Sequence, residues 1–149
     1  EIVLVTGVQT CALPILTSEL QEVTELLFGA GEPALGFEDD QVQAEAEAIL
    51  RSFGKAYCLV KNWILIEVEV SDDYRDALEA DGFSPHVLYA ANVVLHSAGK
   101  RSSGDWVRST FQRAFSLGYV FETRNTIYLL MGAGLQKKAS PITVLAIVE

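Results

Sequence analysis

Ala56-Tyr57-Cys58-Leu59-Val60-Lys61-Asn62-Trp63-Ile64-Leu65-Ile66-Glu67-Val68-Glu69-Val70 is the stretch on which the fold turns. Tyr57 to Val60 and Trp63 to Val70 are dense in β-branched and aromatic residues. Alternation with a period of two puts Ile64, Ile66, Val68 and Val70 on one face, and Glu67 and Glu69 on the other. Lys61-Asn62 reads as a tight turn, because asparagine tolerates positive φ, so the stretch is predicted to be a β-hairpin with one buried and one wet face.

Upstream, helical spacing takes over. Ser18 with Gln21 forms a capping-box signature, and Leu20, Val23, Leu26 and Leu27 follow as a short helix up to Gly29. Gly29 to Gly36, with Pro33, is a predicted loop. Val42, Ala46, Ile49, Leu50 and Phe53 then form an apolar stripe with Asp39 and Asp40 before it and Gly54 after it. That stripe is expected to face the core, leaving Gln43, Glu45 and Glu47 in water. Downstream, Ser71 to Gly82 has a capping serine, acids in the first turn and a closing glycine, a third short helix. Val87 to Leu95, Trp106 to Ser109, Tyr119 to Thr123 and Thr126 to Met131 read as strands, with Arg124-Asn125 as a hairpin turn and Ile142 to Val148 as a further strand. The fold class is α+β: two or three short N-terminal helices packed on a curled, mostly antiparallel sheet or small open barrel.

Composition agrees with one globular domain. The chain has 149 residues, 50% of them hydrophobic and 21% charged. No apolar run approaches the roughly 18 residues that a membrane-spanning helix needs. The net charge of −9 is divided unevenly. Thr17 to Phe83 holds 16 acidic and 4 basic residues, whereas Ser84 to Glu149 holds 3 acidic and 7 basic. Such asymmetry points to oppositely charged faces or to an electrostatic partner for the second half.

Val5 to Ile15 resembles, codon for codon, the translation of a common short-read sequencing adapter, and the sole methionine is Met131. Residues 1–16 are therefore expected to be an artefactual, adapter-derived leader and residues 17–149 a single domain. Without Cys11, Cys58 is the one remaining cysteine, in an apolar run that suits a buried, inert thiol in a reducing cytoplasm.

His86-Val87-Leu88-Tyr89-Ala90, Gly104-Asp105-Trp106-Val107-Arg108-Ser109-Thr110 and Phe121-Glu122-Thr123-Arg124-Asn125-Thr126-Ile127-Tyr128-Leu129-Leu130 carry a resemblance. Together they resemble a small uncharacterised family from pseudomonads and related bacteria, catalogued as a domain of unknown function. The resemblance covers about Ala56 to Lys138, with Trp63 where that family also tends to have a tryptophan. It implies a stand-alone bacterial domain and supplies no catalytic or binding residue.

Motifs for chemistry are weak. Ser97-Ala98-Gly99-Lys100-Arg101-Ser102 follows a strand as a phosphate-binding loop would, but position 94 is Val94, Arg101 stands where Ser or Thr is needed, and no helix follows. Gly132-Ala133-Gly134 reads as a turn. His86 and His96 sit at the two ends of one predicted strand, roughly 33 Å apart at about 3.3 Å per residue, too far to share a metal. Asp72, Asp73 and Asp76 are explained by a negative first helical turn. No catalytic, cofactor-binding or metal-binding residue is assigned, and neither a cofactor, a metal nor a membrane is expected.

The constellation above background is basic and aromatic. Lys100, Arg101, Arg108, Arg113, Arg124, Lys137 and Lys138 interleave with Trp106, Phe115, Tyr119, Phe121 and Tyr128. The candidate interaction face is Trp106, Arg108, Tyr119, Phe121, Arg124 and Tyr128. Trp106 and Arg108 share parity, with Val107 opposite. Either the face is open, stacking bases between cations, or Trp106 is core and Arg108 pairs with an acid such as Glu67 or Glu69. The second is favoured, because a net negative chain repels nucleic acid. The preferred function is a non-enzymatic protein-interaction or regulatory module with another protein as partner. Nucleic-acid binding is the alternative, and a hydrolytic enzyme with no recognisable motif the second alternative.

Overall fold

The computed structural model describes residues 13–147. The elements are α1 (Leu13–Phe28), β1 (Glu32–Leu35), α2 (Gln41–Ser52), β2 (Ala56–Val68), α3 (Asp72–Ala80), β3 (His86–His96), β4 (Val107–Arg108), β5 (Ala114–Ser116), β6 (Val120–Glu122), β7 (Thr126–Leu130), β8 (Ala133–Ala139) and α4 (Pro141–Leu145). The eight strands form one sheet. β2 lies at its centre, antiparallel to β3 on one side and parallel to β7 and then β8 on the other. The α+β class holds, but the sheet is mixed, with parallel pairs at its heart. The helices are interleaved with strands and end with α4 instead of clustering at the N-terminal side. Residues 1–12 of the segment read as a leader lie outside the described residues, and α1 starts at Leu13, a turn before Ser18.

The predicted hairpin is one strand. Asn62 does take positive φ, 54°, yet β2 runs straight through it and pairs with β3 on both sides. Cys58 and Val60 face one cluster before this residue, and Trp63 and Leu65 face the same cluster after it, so inward-facing parity changes from even to odd. The neighbouring strands make a matching adjustment. Val60 pairs with Leu130 of β7 and Ile64 with Leu135 of β8, a register one residue longer, with Gly132 at φ 69° between the two strands. Gly132-Ala133-Gly134 is thus a bulge in a continuous run and not a turn.

This break divides the hydrophobic interior into three. The cluster around Val60, Trp63, Leu88, Val107, Phe121 and Leu130 comes from strands alone, which requires the sheet to curl around it as a half-barrel. On the outer surface, Ile64, Ile66, Val68 and Val87 pack with Leu26 of α1 and Val144 of α4. Leu59, Ile127 and Leu129 pack with Ala44 and Ala48 of α2. Trp63 plugs the break: it is fully buried, its indole Nε1 donates to Met131 O at 3.1 Å, and its ring lies over Gly134.

Local signals account for the remaining differences. Ile142 to Val148 was expected to be a strand, but Ser140 accepts from Thr143 N at 3.2 Å and Pro141 occupies the first turn, starting α4. Gly29 to Gly36, expected to be a loop, contains the edge strand β1 on β8. Ser71 caps α3 and Thr123 to Thr126 closes the β6–β7 hairpin, as the sequence indicates. Among the described residues no helix is long and apolar enough to cross a membrane.

Gly134→Ala tests the plug. A Cβ there would meet Trp63 Cδ2 at 2.2 Å, so the substitution should cost more than about 3 kcal/mol, read as a large fall in the thermal midpoint. A midpoint within about 2 °C of the parent would contradict this packing.

Candidate interaction surface

The six residues of the predicted basic and aromatic face fall into separate neighbourhoods. Phe121 and Tyr128 lie inside the half-barrel, edge to face with centroids 6.3 Å apart. Burial pushes the Tyr128 hydroxyl up to about 12, and the Cys58 thiol in the same cluster is also pushed up to about 12 by burial, which makes it a poor nucleophile. Trp106 and Arg108 do point to the side opposite Val107, as their parity requires. Trp106 is half-buried beside Tyr89, with ring centroids 6.2 Å apart, against the outer cluster that includes Val144 of α4. Tyr119 packs against Phe37 at 5.0 Å under α2. Arg124 is exposed in the β6–β7 turn, its guanidinium 5.4 Å from the Phe83 ring, which Arg113 also approaches at 5.3 Å. An open platform for stacking bases is therefore not assembled from these residues.

Two cations of the basic half, Arg108 and Lys137, are engaged with backbone. Arg108 Nη1 donates to Val144 O at 3.0 Å and Ile147 O at 3.5 Å, so it closes the end of α4 and does not pair with Glu67 or Glu69. Glu67 instead lies 3.9 Å from Arg75. Lys137 Nζ donates to Leu26 O and Gly29 O, at 2.5 Å and 2.8 Å, and closes the end of α1. Both cations sit where helix dipoles are negative. A cleft of about 540 Å³ lies beside Arg108, walled by Val68, Val70, Val87, Phe111 and Val144.

The sequence reading missed a different surface, because it turned α2 the wrong way round. The helix starts at Asp40, whose carboxylate accepts from Val42 N and Gln43 N at 3.1 Å and 3.2 Å. Ala44 and Ala48 are fully buried against β2 and β7, with Ser52 one turn further on. Glu45 and Glu47, expected in water, flank this small-residue stripe. Tyr57 Oη donates to Glu45 at 3.1 Å and Tyr119 Oη to Glu47 at 2.7 Å, so a hydroxyl from β2 and one from the β5–β6 turn hold the two sides of the helix. The Glu47 carboxyl is held below its ordinary range by the Tyr119 hydroxyl and then by Arg51, whose Nε lies 2.8 Å away.

The stripe expected in the core consequently faces solvent. Val42 is 80% exposed, Ile49 56%, Leu50 62% and Phe53 90%, with Ala46 also exposed among them. Phe53 ends the helix in the left-handed region at φ 49°, and Leu117, 57% exposed in the β5–β6 turn, stands at φ 60°. Both border one shallow depression with Arg51 and Val120. A bulky residue pays about 1–2 kcal/mol to adopt this conformation. Each is followed by a glycine, Gly54 or Gly118, that is also at positive φ. The small-residue spacing Ala44, Ala48, Ser52 was the available signal for the true docking face.

A family model described as Domain of unknown function (DUF6957) matches residues 34–146. The chain belongs to this family. The DUF6957 span includes α2, the whole of β2 and α4, so the exposed stripe and the break that orients it lie within the family's domain. No curated protein and no solved structure matches the chain.

Arg108→Ala and Arg124→Ala should separate a hydrogen-bonded, half-buried cation from an exposed one in this DUF6957 domain. Losing Arg108 leaves carbonyls at the end of α4 without their donor and should lower stability by about 1–2 kcal/mol, whereas Arg124→Ala should stay within about 0.5 kcal/mol. Urea unfolding of both variants checks the order, and equal effects would contradict it.

Proposed function

We propose that this chain is a non-enzymatic protein-interaction module whose contact surface is the outward stripe of α2, extended by Leu117. The observation that carries the reading is the orientation of α2. Its large apolar residues stand in water while Ala44 and Ala48 hold the sheet, and contiguous exposed apolar surface of this kind marks contact sites in stable proteins. Two further features support it. Phe53 and Leu117 hold strained backbone at the edge of the same surface, and strain of this sort collects at sites of function. Four of the seven basic residues that would serve a nucleic-acid partner are engaged, Arg108 and Lys137 with helix ends and Arg113 and Arg124 with the Phe83 ring.

A photo-crosslinking side chain at Leu50, installed in the full chain and irradiated in cells, tests the reading. Discrete protein adducts are expected, and they should be absent when the same group replaces Glu79 on the exposed face of α3. Adducts to nucleic acid alone, or none above the Glu79 control, would overturn it.

A further inference from the structure

We infer that the occupant of the α2 surface is a second copy of this chain, its α2 packed antiparallel about a two-fold axis. This inference rests on the interaction reading above and names its partner. Val42, Ala46, Ile49 and Phe53 recur at spacings of four, three and four, the seam by which two helices pack side by side. The seam complements itself. When Ala46 lies opposite Ile49 of the second copy, Val42 falls opposite Phe53 of the second copy, and the axis repeats both pairs with the roles exchanged. A smaller side chain meets a larger one each time, as interdigitated packing requires.

Antiparallel packing also opposes the two helix dipoles. The charges at the helix ends are engaged within one copy, Arg51 with Glu47, Lys55 with Glu122 and Asp39 with Lys61, so the match of shape along the seam selects the arrangement.

Leu117 widens the contact beyond the helix pair, since it borders the same depression as Phe53. Full burial of the exposed apolar side chains on both copies would remove about 1,200 Å² from water, the lower edge of what a specific interface needs. The dimer should therefore be weak, with a dissociation constant on the order of 10–100 µM.

Sedimentation equilibrium of the purified full chain between about 1 and 500 µM tests this inference. The expected result is a concentration-dependent monomer–dimer equilibrium. Ile49→Glu should stay monomeric throughout, with an unchanged thermal midpoint in dilute solution because the side chain is exposed in the single copy. Phe53→Gly should weaken association at least tenfold while raising the dilute-solution midpoint, since glycine relieves the left-handed strain. These opposite signs separate lost contact from lost folding. A chain monomeric at every concentration would overturn the dimer, as would a dimer that both variants leave intact. If the purified chain is monomeric but Leu50 crosslinks a different protein in cells, the dimer falls and the interaction reading stands. Absence of any Leu50 adduct together with a monomeric chain overturns both.

Discussion

The change of parity at Asn62 is the constraint from which the rest of the molecule follows. A strand of thirteen residues that kept strict alternation would present one inner and one outer face. β2 instead serves the inside of the half-barrel at Cys58, Val60, Trp63 and Leu65, and two separate outer surfaces at Leu59 and at Ile64, Ile66 and Val68. The left-handed backbone at Asn62 and the extra residue near Gly132 make the switch in adjacent strands, and the Trp63 indole fills the space between them. One outer surface takes α1 and α4, and the other takes α2.

How α2 sits on its surface decides which of its residues meet solvent. Alanines at positions 44 and 48 let the helix approach the sheet closely, and tyrosine hydroxyls at 57 and 119 fix its rotation through Glu45 and Glu47. These two hydrogen bonds reverse the usual partition, because the acids become structural acceptors and the aliphatic stripe is left outside. The hydrophobic energy available from that stripe is unspent in the single copy, which is why an intermolecular contact is the natural reading of this face.

Much of the fold was legible in the residues themselves. Ser71 and Gly82 delimit α3, Arg124-Asn125 closes a hairpin, and the parity of Trp106, Val107 and Arg108 gives their sides correctly. Local chemistry misleads where a long-range partner decides. Asn62 looks like a turn residue because positive φ commonly means a turn, whereas β2 keeps its pairing with β3 on both sides of it. The α2 stripe looks like a core face because hydrophobicity outweighs size in a helical pattern, yet close approach favoured the alanines. The basic and aromatic residues look like one surface because they alternate along the chain, whereas the curl of the sheet turns Phe121 and Tyr128 inward and helix ends recruit Arg108 and Lys137.

The orientation of α2 can be tested most directly by thermal unfolding of two neighbouring substitutions in dilute solution. If the helix holds the sheet through its alanines, Ala48→Leu overpacks a fully closed contact and should lower the midpoint by more than about 10 °C or prevent folding, while Leu50→Gln should change it by less than about 2 °C. A tolerated Ala48→Leu together with a strongly destabilising Leu50→Gln would contradict the orientation and the contact surface built on it.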